Sequence, residues 1–270
     1  MNNTHKFFYK YRSVNHKDLV NHTKLDALFN SYAVFASRKN FNDPFDSKVI
    51  FLKPSIIEFK DIINHMNYKH PLTKDKQKLN QKLFIEKNQK ITDKGIGIIN
   101  ETINSLNQLI DSYSFLCLSG DNKNILLWAH YAGSHSGYCI EFKSECIDAQ
   151  KVIYKTAVPT FNISDLLATG DKDKDLEIGK KISIALLTKL IDWEYESEYR
   201  LHLSDDTKYT LLHNQNKRVN YTSDFIESII FGSRMPEQTK KYIIKNMPYS
   251  VLFKQAHELD SSIEIKPYKE

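Results

Sequence analysis

Residues 113–142 read YSFLCLSGDNKNILLWAHYAGSHSGYCIEF. Tyr113–Ser119 is an apolar run of strand length, and the polar loop Gly120–Asn124 ends it. A short helix is predicted at Leu126–Ala132, and Gly137–Phe142 reads as a second apolar strand. The same mixture of strand and helix continues on both sides, with no regular strand–helix repeat. It predicts an α+β fold: a single domain over residues 1–270, with a central, mostly antiparallel sheet flanked by helices.

Upstream, Lys6–Tyr11 reads as an aromatic strand. A helix should follow, with Asn15 or Asp18 near its start and Leu25, Leu28 and Phe29 turned inward. Tyr32–Ser37 is a second strand, stopped by Asn40-Phe41-Asn42-Asp43-Pro44, because Pro lacks an N–H and Asn and Asp bond their own backbone. Ser55-x-x-Glu58 is a capping box, and Phe59, Ile62, Ile63 and Met66 recur after it at helical spacing. The polar stretch 69–94 and the helical pattern Ile96–Ile110 complete an expected helical insertion over 55–111.

Downstream, Val152–Tyr154 is an expected strand, and Gly170–Asp175 a charged loop. A helix follows, with Ile178, Ile182, Ala185, Leu186 and Leu190 on one face. Tyr195–Leu203 alternates in the manner of a strand, and Phe225–Phe231 is another, ended by Gly232. The segment 236–268 supplies a last helix, opened by Pro236 and reaching Met247, and one or two strands.

Composition narrows the function classes. With 41% hydrophobic residues in 270, the chain can bury a core and is no disordered polymer. Its net charge of +5 is spread along the chain, enough to attract an anionic ligand without identifying nucleic acid. Cys117, Cys139 and Cys146 are odd in number and form no Cys-x-x-Cys pair, so no metal site is expected. Met1–Asn15 holds no apolar core of a signal peptide, and no run of about 18 apolar residues occurs. Cytoplasm is the expected compartment, with no membrane partner.

Four clusters place polar groups in apolar surroundings, where burial must be compensated. Tyr9-Lys10-Tyr11-Arg12 ends the first strand, and Arg12 can fork onto a phosphate or carboxylate, or stand exposed there. Phe41-Asn42-Asp43-Pro44-Phe45-Asp46 reads as a structural turn pinned by two Phe rings. Cys117-x-Ser119, Trp128, His130, Tyr131 and His135 bring together aromatic faces and polar tips, which suit a flat ligand such as a nucleotide base and equally suit a core helix. In Trp193-Glu194-Tyr195-Glu196-Ser197-Glu198-Tyr199-Arg200, a strand puts Glu194, Glu196, Glu198 and Arg200 on one face. Three carboxylates in a row there would repel, so either a raised pKa on one of them or a cationic partner is expected, whether for catalysis or as a cross-strand salt bridge.

These motifs, with Ile140-Glu141-Phe142, Val152-x-Tyr154 and Ile229-Ile230-Phe231-Gly232, resemble the bacterial domain of unknown function 2971 family over about residues 8–232. More distantly, the order Arg12, Ser119, Glu196-x-Glu198 is similar to that of Arg-Ser-Glu-type ADP-ribosyltransferases, though Phe115–Ser119 lacks their Ser-Thr-Ser triplet. That resemblance implies a split sheet, NAD as substrate, and a protein or nucleic acid as acceptor in phage defence or as a toxin. It implies that Arg12 and Tyr9 hold a phosphate, with Ser119, Trp128, His130 and Tyr131 about the rest of the nucleotide. Glu198 would stabilise the charge on the ribose and Glu196 would face the acceptor. Two alternatives stay open: a sensor that binds a nucleotide or phage component without catalysis, and a metal-dependent nucleic-acid hydrolase using Asp43, Asp46, Glu196 and Glu198.

Overall fold

A computed structural model describes residues 5–14, 25–69, 73–166, 172–203 and 206–269. The expected helix start at Asn15 or Asp18, and Gly170 of the charged loop, lie outside them. The chain divides into two compact units, one of Met1–Phe41, Ser114–Tyr154 and Ile191–Glu270, the other of Asn42–Tyr113 and Lys155–Leu190. The insertion expected at 55–111 falls within the second.

The first unit is built on an eight-stranded sheet. In chain order its strands are β1 (Phe7–Arg12), β2 (Phe115–Ser119), β3 (Tyr138–Lys143), β4 (Gln150–Lys151), β5 (Glu198–His202), β6 (Ile226–Phe231), β7 (Leu252–Glu258) and β8 (Ile263–Pro267). They lie side by side as β8-β7-β6-β3-β1-β2-β5-β4. Every neighbouring pair is antiparallel except β6 and β7. A parallel pair needs a crossover, and helix Glu237–Asn246 supplies it. The expected α+β class with a mostly antiparallel sheet is therefore what the chain adopts.

Alternation along the strands sorts side chains onto two faces. Phe8, Leu118, Tyr138, Ile140, Phe142, Ile229 and Phe231 build one apolar cluster, to which helix Glu237–Asn246 adds Ile243. Tyr11, Cys139, Ile230, Ala256 and Ile263 build the other, covered by Leu127 and Trp128 of helix Ile125–Tyr131. Coverage on both faces explains why β3 is a nearly continuous apolar run.

In the second unit the capping box forms as its residues dictate: the Ser55 N–H donates to Glu58, and the Glu58 N–H to Ser55 Oγ. It starts helix Ile56–Lys69, whose Phe59, Ile62 and Ile63 pack with Ile99 of helix Asp93–Ser112. Met66, on the same expected stripe, is exposed.

Three expectations need correction. Helix Lys172–Leu187 takes in Lys172–Asp175 of the expected charged loop, and it stops short of Leu190, which belongs to strand Thr188–Leu190. The expected strand Tyr195–Leu203 begins only at Glu198; Ile191–Glu196 is a 3-10 helix. Ser197, at φ 44°, makes the break, because a left-handed residue cannot continue a pleat. Glu194, Glu196 and Glu198 therefore do not line one strand face. Glu194 is exposed, while Glu196 and Glu198 are buried.

Candidate functional site

One row of side chains crosses the large sheet. Ser228 is opposite Glu141, Glu141 opposite Tyr9, Tyr9 opposite Ser119, and Ser119 opposite Glu198, so five successive strands present polar groups on one face. Glu141 is 2% exposed and Glu198 4%. Carboxylates so enclosed need partners. Glu141 accepts from Ser228 Oγ, from Lys254 Nζ, and from the Tyr9 hydroxyl at 3.3 Å. Glu198 Oε1 accepts from Arg200 Nε at 2.8 Å. Arg200, 1% exposed, holds its guanidinium 5.1 Å from the Phe41 ring centroid and 5.9 Å from that of Phe115.

β1 pairs with β3 along its whole length but with β2 only at Tyr9 and Ser119. Beyond that point β1 and β2 part, and Lys10 Nζ donates to the Cys117 carbonyl at 2.6 Å. Burial, and then the neighbouring Arg12, pull the Lys10 ammonium down to about 8. Burial and the nearby Glu198 push the Cys117 thiol up to about 12, which keeps it protonated and a poor nucleophile. The Tyr9 phenol is raised by burial and by Glu141.

Glu196 is positioned by the segment before it. Asn124 accepts the Leu126 and Leu127 N–H groups as the N-cap of helix Ile125–Tyr131, and its Nδ2 donates to the Tyr195 carbonyl at 2.6 Å. One side chain thus ties the helix to the 3-10 turn. Tyr131 then donates to Glu196 Oε1 at 2.6 Å, and Ser119 Oγ to the Glu196 carbonyl at 2.7 Å.

The fold brings together Tyr9, Ser119, Tyr131, Glu196 and Glu198. The other three residues singled out from the sequence do not join them. Arg12 is three residues along β1 from Tyr9, on the opposite face. It lies two strands from Glu198, about 14 Å between Cα atoms at ordinary strand spacing. Trp128 is wholly buried; its Nε1 donates to the Asn122 carbonyl at 2.8 Å and its ring meets Tyr11 edge-on. His130 is exposed, its ring tilted 6.4 Å from that of Tyr195. In the second unit, Asp43 Oδ1 accepts the Phe45 N–H in the expected Asx turn, and Asp46 pairs with Lys189. Among the described residues no three His, Cys, Asp or Glu gather as a metal site. None of their helices is long and apolar enough to cross a membrane.

Lys10, Glu141 and Arg200 were not singled out as site residues. The signal was there in each case: a charge inside a run of aromatic or aliphatic residues, where it must be exposed or paired.

Helix Ile125–Tyr131, β3, the 3-10 turn and most of β5 fall in one stretch of chain that can be compared with known families. Residues 127–201 match the family described as Protein of unknown function (DUF2971). No curated protein and no solved structure matches the chain. The DUF2971 match takes in Tyr131, Glu141, Glu196, Glu198 and Arg200, and leaves Tyr9, Lys10 and Ser119 upstream of it. The comparisons lend no support to a likeness with ADP-ribosyltransferases.

Proposed function

We propose that the sheet face carrying Tyr9, Ser119 and Glu198 is the active site of an enzyme that breaks the nicotinamide–ribose bond of NAD and passes the ADP-ribosyl group to a protein or nucleic acid. The observation that carries this reading is the buried Glu198, aligned with Ser119 and Tyr9 on adjacent strands beside the gap occupied by Lys10. Loss of nicotinamide builds positive charge on the ribose, and a fixed carboxylate where water is excluded stabilises it. Glu196, held by Tyr131, is the carboxylate that would take the proton of the acceptor.

The test is release of nicotinamide from NAD by the purified protein, with and without lysate, beside a Glu198→Gln variant. Release by the wild type and not by the variant supports the reading. Absence of release from two folded proteins in both conditions removes it.

A second reading has its own support in the Glu198–Arg200 pair, which is almost wholly enclosed. On it the carboxylate is structural and the face binds a nucleotide without turnover, as a sensor. NAD binding that survives Glu198→Gln, with no nicotinamide released by either protein, is its signature.

A further inference from the structure

The parallel strands β6 and β7 end at an open cavity of about 360 Å³, lined by Ser233, Arg234, Lys240, Gln255, His257 and Glu258. Carboxyl ends of parallel strands, followed by a helix N-terminus, are where strand–helix–strand units bind anions, because unsatisfied N–H groups and the helix dipole point there. The helix in question, Glu237–Asn246, is ten residues long. Two further observations point to a ligand. Gln255 is 7% exposed and lines the cavity; its Nε2 donates to the Gly232 and Ala256 carbonyls, while its Oε1 is buried with no partner among the described residues. His135 Nδ1 is likewise buried and unpartnered, and it lies where Arg234 and Glu258 act on it. Such orphaned atoms in a native structure call for an explanation.

The backbone around His135 is strained to put it there. Gly133, Ser134 and His135 are three consecutive left-handed residues, at φ 56°, 54° and 69°. Non-glycine residues hold that conformation only at a cost, and such strain clusters at ligand sites. The turn is pinned from both sides: the His135 N–H donates to the Trp128 carbonyl, and the Arg234 N–H to the His135 carbonyl. Gly232 is needed for this approach, since a Cβ there would meet the His135 carbonyl at 2.1 Å. Glu258 accepts from Ser233 Oγ and Arg234 Nε, which fixes the guanidinium. Lys240 brings a second cation from the helix, shared with Glu237 at 3.3 Å.

We propose that this cavity binds a small phosphate monoester, its phosphate at Arg234, Lys240 and the helix N-terminus and a hydroxyl group donating to Gln255 Oε1. The proposal is independent of the reading given to Glu198. It is tested by titrating the full chain with ribose 5-phosphate, inorganic phosphate and ribose, following the Gly232 and Glu237 amide signals. Ribose 5-phosphate should bind saturably with a dissociation constant near or below about 1 mM, inorganic phosphate about tenfold more weakly, and ribose not at all. Arg234→Gln, at an exposed side chain, should weaken ribose 5-phosphate by about tenfold with an unchanged circular dichroism spectrum. Three outcomes overturn the proposal: no saturable binding, equal affinity of wild type and Arg234→Gln, or equal affinity for inorganic phosphate and the ester.

Discussion

Lys10 sits in an environment that its type disfavours. Its ammonium is held down to about 8 against an ordinary 10.5, so the folded protein binds fewer protons than the unfolded chain between those values. The Lys10 contribution to stability should therefore rise with pH across that window, by about 2–3 kcal/mol, against the opposite trend of Cys117 and Tyr9, whose values are raised by folding. Urea unfolding at pH 7.5, 9 and 10.5 should show the wild type gaining stability relative to Lys10→Met as pH rises; an identical pH dependence in both would contradict the assignment. Arg200 makes the opposite case. Removing it strands Glu198 in an enclosed site, and Arg200→Leu should lower stability by about 3–5 kcal/mol. Glu198→Leu in the same chain should restore most of that loss, since a well-packed apolar pair replaces the ion pair without an uncompensated charge. Failure of the second substitution to rescue would mean that the guanidinium acts mainly through Phe41 and Phe115.

Among the elements, the short helix Ile125–Tyr131 depends on Asn124 for both its start and its tie to Tyr195. Asn124→Ala should cost about 1–2 kcal/mol as a lost cap and release Glu196 from its place beside Tyr131. Thermal unfolding measures the first effect. If Glu196 takes the acceptor proton, the second appears as transfer to acceptor falling more than nicotinamide release. Elements with strong local signals were legible: the capping box at Ser55 and Glu58 forms both its bonds, and the apolar run ending in Phe142 is the central strand β3. The segment 194–200 was not. Its alternating glutamates imitate a strand, and nothing in the residue types announces that Ser197 takes a left-handed backbone. The same limit applies to the site. Tyr9, Ser119 and Glu198 meet because of strand register, which is set by long-range pairing. The turn at 133–135 looks like an ordinary polar loop until its dihedrals are known.

For the whole molecule, protection should be uneven. The strands β3 and β6, buried on both faces, carry the most enclosed backbone, whereas helix Lys74–Phe84 is exposed along nearly all its described side chains. Amide exchange should be slowest at Ile140 and Ile229, near the limit of global unfolding, and fastest in Lys74–Phe84. Uniform exchange across both would show that the chain opens as one cooperative body. Burial pattern, read in this way, predicts the order in which the protein comes apart.

The position of β1 bears on how the protein is made. Earliest of the eight strands in the sequence, β1 belongs at the middle of the sheet, and its neighbours, with Ser119 facing Tyr9 and Phe142 facing Phe8, follow more than a hundred residues later. At ordinary translation speeds that is about 5–20 seconds in which an aromatic strand waits without either partner. The nascent chain therefore presents both edges of Phe7–Arg12 to chaperones and to other nascent chains throughout that interval, and its yield in the cell depends on what shields them.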